Sequence, residues 1–433
     1  MQMLIQKPNK IRVNHYDYVL FFLILLRYLL PPFFSNMVED IGVLDLLLTG
    51  VSFVATIYLL VRSKKVFTFP IILFALFCGS LVVSTFLGRA EFFTALVHAA
   101  EVGLLCLVVN VALYDEEKGV AFLLVVRDAA GAFALLNLLL MALVPAGIPV
   151  FTTDAEFPFF LYGNVNSTIK YVIAGLCCAV LIDAKFHKKI SIATAALLIN
   201  VFFMAATVYF TATAVLGELF ILAWILMRPL LEKRSRIFYA LVVLFVIFIE
   251  LAVVIFFDSS GIAPLIAKVF HKTPTFSNRS ELWHRTWNGI LRSPLIGHGL
   301  QNEDTLARNT GNFFGSHNYY LDILYQRGMI GFSFLALIIL APLWKLKRSV
   351  RLSRTTYILM GFCCACLIMF LAEPFFTSEY MILPMFYAFV AMVYKDAGSR
   401  TWELKWQGEG IVRYVRNTKT YERIAGKRRN ESK

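Results

Sequence analysis

The sequence predicts an all-α, polytopic integral membrane protein with about twelve spanning helices and one large polar loop between the ninth and the tenth. Three observations carry this. Of 433 residues, 59% are hydrophobic and 16% charged, with mean hydropathy +0.71, whereas soluble domains hold about 25% charged and 45–50% apolar residues. The apolar residues come in runs of about 20, the length that crosses a bilayer core. The exception is 277–331, which gathers Arg279, Arg285, Arg292, Arg308, His284, His298, His317, Trp283 and Trp287.

Taken in order, the expected spans are 17–34, 41–61, 66–87, 92–114, 119–145, 167–183, 190–208, 212–230 and 237–257, then 326–344, 355–372 and 379–394. The gap between the seventh and eighth is short enough for one kinked segment. The chain therefore divides into nine helices (1–257), a loop (258–325), three helices (326–394) and a basic tail (395–433). A polar start (Gln6, Lys7, Asn9, Lys10, Arg12) runs into the first apolar stretch without a small-residue cleavage site, so that stretch reads as a retained helix.

Charge sets the orientation. The net charge of +13 is not arranged as a stripe for nucleic acid. It falls in clusters at every second boundary: Lys7/Lys10/Arg12, Arg62/Lys64/Lys65, Lys185/Lys188/Lys189, Lys233/Arg234/Arg236 and Lys345/Lys347/Arg348. Alternate loops carry Glu39/Asp40, Asp154/Glu156 and Glu373/Glu379. The positive-inside rule then places both termini in the cytoplasm and the 258–325 loop outside it. The basic clusters meet anionic lipid headgroups. All seven cysteines lie in apolar runs, which provides neither a disulfide framework nor a metal site.

Within the loop, Trp283, Trp287, Ile290 and Leu291 recur at helical spacing. That predicts a surface helix with its tryptophans at headgroup level. Inside the apolar runs remain Arg27, His98, Glu101, Arg127, Asp128, Glu218 and Glu250. Each must face protein or water, since a mid-membrane charge costs at least ~2.5–3.5 kcal/mol. His98 and Glu101, three residues apart, are placed to pair. His298 with Glu303 and Asp304 is too loosely spaced for zinc.

Four motifs occur in a fixed order. Gly163-Asn164-Val165-Asn166 precedes the sixth span. Asn278-Arg279 is followed by Trp283. Ser293-Pro294-Leu295-Ile296-Gly297-His298-Gly299 comes next. His317-Asn318 is then separated by nine residues from Gly328-Met329-Ile330-Gly331. This set resembles the signature of the O-antigen ligase and Wzy-type polysaccharide polymerase superfamily. The resemblance implies a GT-C-like membrane glycosyltransferase of the bacterial cytoplasmic (inner) membrane, with its site on the extracytoplasmic face. It implies a donor of the undecaprenyl-diphosphate-linked oligosaccharide class, no metal or other cofactor, and flippase and chain-length regulator proteins as partners besides lipid. By the same resemblance His317 is the general base and Arg279 the main diphosphate ligand. Asn318, Asn166, Trp283 and Arg285 are then substrate-binding candidates, Asn318 alternatively closing the turn. Gly328 and Gly331 would let the tenth helix begin close under the site.

One departure stands out. The family's Ser-Arg pair at the outer mouth of the eighth helix corresponds here to 209–214, Tyr-Phe-Thr-Ala-Thr-Ala, without arginine. Lys170 is the candidate replacement, and the competing reading has it reach lipid headgroups. The motifs fit a polymerase of lipid-linked repeat units. A ligase moving a finished glycan to another acceptor is the nearest alternative, and a flippase or transporter a more distant one.

Overall fold

The computed structural model describes residues 9–31, 33–34, 42–63, 68–148, 158–163, 165–187, 189–207, 212–255, 279–311, 315–345, 354–373, 381 and 402–406. Its helices are α1 (His15–Leu29), α2 (Gly42–Arg62), α3 (Phe69–Leu87), α4 (Phe92–Tyr114), α5 (Glu116–Leu143), α6 (Val165–Ile182), α7 (Ile192–Thr207), α8 (Ala212–Leu226), α9 (Ser235–Ile249), α10 (Arg279–Arg292), α11 (Glu303–Thr310), α12 (Tyr319–Lys345) and α13 (Arg354–Met369). Each expected span from the first to the eleventh coincides with a helix. The twelfth, 379–394, lies outside the described residues apart from Met381. Among the described residues, five helical stretches are long and apolar enough to cross a membrane by length and composition: Phe69–Leu87, Phe92–Tyr114, Glu116–Leu143, Arg228–Ala252 and Tyr319–Leu343. The protein is a mostly helical integral membrane protein.

Local chemistry explains where several helices begin. Asn14 caps α1 by accepting from Tyr16 N, and Asp115 caps α5 by accepting from Glu117 N and Lys118 N. Pro70 occupies the first turn of α3, where its missing N–H is no loss. Among the described residues the helices pack through one large apolar core and two smaller clusters, one around Trp283 and Tyr325 and one around Met141, Phe160 and Met204. Buried polar pairs join some of them. The Asn137 amide on α5 donates to Asn200 Oδ1 on α7 at 2.7 Å, and Asn200 donates to Ala134 O and Ala196 O. Trp224 and Tyr357 exchange hydrogen bonds to each other's backbone carbonyls, tying α8 to α13.

Some expectations are corrected. The α4 carboxylate Glu101 is met from another helix: Arg27 Nη1 on α1 lies 2.7 Å from Glu101 Oε1, an ion pair that spacing along α4 does not reveal. The chain is not purely helical. Asn9–Val13 and Trp402–Trp406 form a two-stranded parallel pair, β1 and β2, with Ile11 opposite Leu404 and Val13 opposite Trp406. That pairing brings two segments nearly four hundred residues apart in the chain side by side. The polar loop contains the expected helix as α10 and a second, α11, that the spacing did not predict. Trp283 on α10 is buried against Ile290, Leu321, Leu324 and Tyr325 rather than standing at headgroup level.

The tenth span begins at Tyr319, not 326, and Gly328 breaks its helical geometry with φ 60 and ψ −168. The reason is a backbone-to-backbone contact with the 293–299 turn. His298 N donates to Tyr325 O, Gly299 N to Gln326 O, Met329 N to Pro294 O and Ile330 N to Leu295 O, at 2.8–3.1 Å. A Cβ on Gly328 would lie 2.4 Å from Leu295 C and O. Two of the motifs are thus halves of one joint. Gly328→Ala should destabilise the purified protein by at least ~2 kcal/mol, from the forbidden backbone conformation plus the clash. Gly50→Ala, with nothing within 4 Å of the added carbon, should leave the melting temperature unchanged. Equal melting of the two variants would contradict the joint.

Candidate active site

The site forms where the first turn of α12 meets the last turn of α13. A helix leaves its final carbonyls without intrahelical donors, and three consecutive ones after α13 are satisfied by motif residues. Phe370 O accepts from Tyr319 N at 2.9 Å, Leu371 O from Asn318 Nδ2 at 3.1 Å and Ala372 O from Arg279 Nη1 at 2.6 Å. The next residue, Glu373, is the hub. Its Oε1 accepts from Arg279 Nη2 at 2.6 Å; its Oε2 lies 3.4 Å from His317 Nδ1 and 3.5 Å from Lys170 Nζ.

Three residues singled out from the sequence, His317, Arg279 and Lys170, therefore meet on one carboxylate that was read only as a marker of loop charge. Glu373 is 5% exposed and lies beyond the end of α13. Burial pushes its carboxyl upward, but the hydrogen bond with His317 and the charges of Arg279, Lys170 and His317 outweigh this. Together they hold it at about 2, against an ordinary 4.5. Two cations and the carboxylate they hold thus stand beside the imidazole.

The turn that presents His317 is tightly built. His317 has φ 53, in the left-handed region that side chains other than glycine rarely adopt. Gly315, with φ 80, brings the chain against Asp322, whose Oδ1 accepts from both Ser316 N and Ser316 Oγ. Such strain persists only where surrounding contacts enforce it, and it collects at functional sites. With its Nδ1 facing Glu373, the ring has Nε2 as the nitrogen available to accept a proton.

The other candidates are distributed differently. Asn318 is fully buried; its Oδ1 accepts from Leu321 N, capping α12, and its Nδ2 donates to Glu250 Oε2 and Leu371 O. It closes the turn. Trp283 donates from Nε1 to Ser316 O at 3.1 Å and so props the same turn from below. Arg285 is exposed and paired with Glu281 one helical turn earlier. Asn166 is in the first turn of α6, four residues before Lys170; its side chain, and all of Asn164 and Asn278, lie outside the described residues. His298 Nε2 donates to Gly289 O and its ring packs at a tilt against Tyr325, a packing role. Among the described residues no group of three or more His, Cys, Asp or Glu side chains is placed to hold a metal ion.

The stretch that supplies Arg279, His317 and both halves of the glycine joint is also where known proteins are matched. Residues 193–336 match the family described as O-antigen ligase. This segment is similar to that family. Lys170 and Glu373 fall outside the matched segment, on either side of it. A protein of Haemophilus influenzae, described as uncharacterized, is 31% identical over 84 residues, which cover 17% of this chain and 21% of that protein. The chain thus spans about a fifth of the length of that curated relative. No solved structure matches the chain.

The carboxyl of Glu373 supplies a pH signature. Because its folded value is depressed, its contribution to stability is complete above about 4.5 and is lost as pH falls towards about 2. The loss across that window is on the order of 3 kcal/mol. Thermal melting followed from pH 6 to pH 3 should therefore fall more steeply for the native protein than for Glu373→Gln. Parallel curves would show that Glu373 is not held by its three partners.

Proposed function

We propose that this protein is a membrane glycosyltransferase that joins undecaprenyl-diphosphate-linked oligosaccharide repeat units into capsular, exopolysaccharide or O-antigen chains. The observation that supports it is the meeting of His317, Arg279 and Lys170 at Glu373, with two of the three inside the O-antigen ligase segment. In this reading the acceptor hydroxyl attacks the anomeric carbon of the donor sugar and its proton passes to His317 Nε2. General base assistance of this kind contributes ~10²–10⁴-fold. The bond from that carbon to the diphosphate oxygen breaks, and the electron pair departs with the diphosphate. Arg279 and Lys170 stabilise the charge as it develops, Arg279 with a fork that suits two oxygens at once. Lys170 takes the place of the family's arginine that is missing near Ala212. Glu373 keeps the imidazole oriented through Nδ1, the part a carboxylate plays in other histidine-dependent sites. No step of this scheme calls for a metal.

A second reading is favoured by the description of the matched family. A ligase would use the same donor chemistry and pass a finished glycan to a different acceptor. Reconstitution in liposomes with a lipid-linked repeat unit separates the two. Longer glycan on one lipid, with undecaprenyl diphosphate released, is the result expected here. Transfer only after a second acceptor class is added would mark a ligase, and translocation without any new linkage would overturn both. His317→Ala should insert normally, lose at least ~10²-fold in rate and leave single repeats unextended. Lys170→Gln should lose most activity, whereas Lys170→Arg keeps a good part. Normal polymer from the His317→Ala protein would remove it as the base.

A further inference from the structure

We propose that Glu250 is a positioning residue for this site: it fixes the carboxamide of Asn318 and thereby the turn that carries His317. The inference rests on the reading of His317 as the base. Glu250 stands where α9 gives way to a π-helical turn, Glu250–Ile255. π-turns are rare and are frequent at functional sites. Its Oε2 accepts from Asn318 Nδ2 at 3.0 Å, and its Oε1 is buried with no hydrogen-bond partner among the described residues. A carboxyl group so placed is costly to bury, and a leucine would fill the same space for packing alone.

What the carboxyl supplies is direction. An asparagine amide is nearly symmetric in shape, so only its partners decide which end is which. Here Nδ2 faces two acceptors, Glu250 Oε2 and Leu371 O, which leaves Oδ1 towards Leu321 N as the cap of α12. The opposite orientation would set an NH₂ group against a backbone N–H and an oxygen against two oxygens. Glu250 also reaches from the helix before the loop to the residue that closes it. The backbone of Asn318 is thus held from both sides, and the strained φ of His317 is held with it. Sub-ångström placement matters in this position: a 1 Å error in a reacting group can lower a rate by ~10²-fold.

The test uses the purified full-length protein with a lipid-linked donor. Glu250→Leu removes the acceptor oxygen, and Glu250→Gln retains one. Glu250→Leu should lower kcat by ~10–100-fold with KM within ~3-fold, and Glu250→Gln should recover kcat to within ~5-fold of the native value. Adding Asn318→Ala to Glu250→Leu should reduce kcat no further than the slower single variant, because both changes break one hydrogen bond. The same non-additivity should appear in melting temperatures without substrate. That arm stands even if the transferase reading fails, so the two can be overturned separately. Multiplicative losses in kcat, or additive shifts in melting, would overturn the proposal. So would Glu250→Gln failing as badly as Glu250→Leu, or Glu250→Leu melting earlier with unchanged kcat per folded molecule.

Discussion

A carboxylate buried at the carbonyl end of a helix is the constraint on which the rest of this site depends. The C-terminus of α13 already carries partial negative charge, and Glu373 adds a full one where little water reaches it. Such an arrangement is tolerable only if cations and donors converge on it. Arg279, Lys170 and His317 come from α10, α6 and the turn before α12, so satisfying one carboxylate draws three distant parts of the chain together. The same convergence sets two cations beside an imidazole, which suits an anionic leaving group and a proton acceptor side by side.

The glycine motifs serve this arrangement from behind. Gly297, Gly299 and Gly328 all have positive φ, and a Cβ on any of them would lie within 2.6 Å of backbone from a neighbouring segment. The Ser-Pro turn and the Gly-x-x-Gly segment are therefore one rigid joint, not a substrate loop. Trp283 and Asn318 extend that role to the turn that carries His317. The residues proposed to do chemistry are few, and most of the motif builds the frame that holds them.

How much of this was legible in the sequence follows from the range of each interaction. Apolar runs are local signals, so the first eleven expected spans each coincide with a helix. The main miss among them, Tyr319 instead of 326 as the start of α12, arose because Tyr319, Tyr320 and Tyr325 look like loop aromatics until their neighbours are known. His317, Arg279 and Lys170, which meet at Glu373, were singled out through motif order and a charge expected but absent near Ala212. Glu373 was not found, since a lone glutamate before Pro374 has no local signature. Its partners His317 and Arg279 are 56 and 94 residues away in the chain. Trp283 was misjudged, and the Arg27 partner of Glu101 was missed, for the same reason: spacing along one helix does not reveal what packs against it. The β1–β2 pairing joins the two ends of the chain and has no short-range trace either.

A double-mutant cycle between Arg279 and Glu373, read as the unfolding free energy of the purified protein at pH 7, tests the central claim most directly. Glu373→Gln leaves Arg279 and Lys170 facing each other without an anion, and Arg279→Gln leaves the carboxylate short of its shortest partner. If Glu373 organises the site, the double variant should be more stable than the sum of the single losses predicts, with a coupling of ~1–3 kcal/mol. Additive losses would mean that the carboxylate and the arginine do not depend on each other, and the account of this site would fail with them.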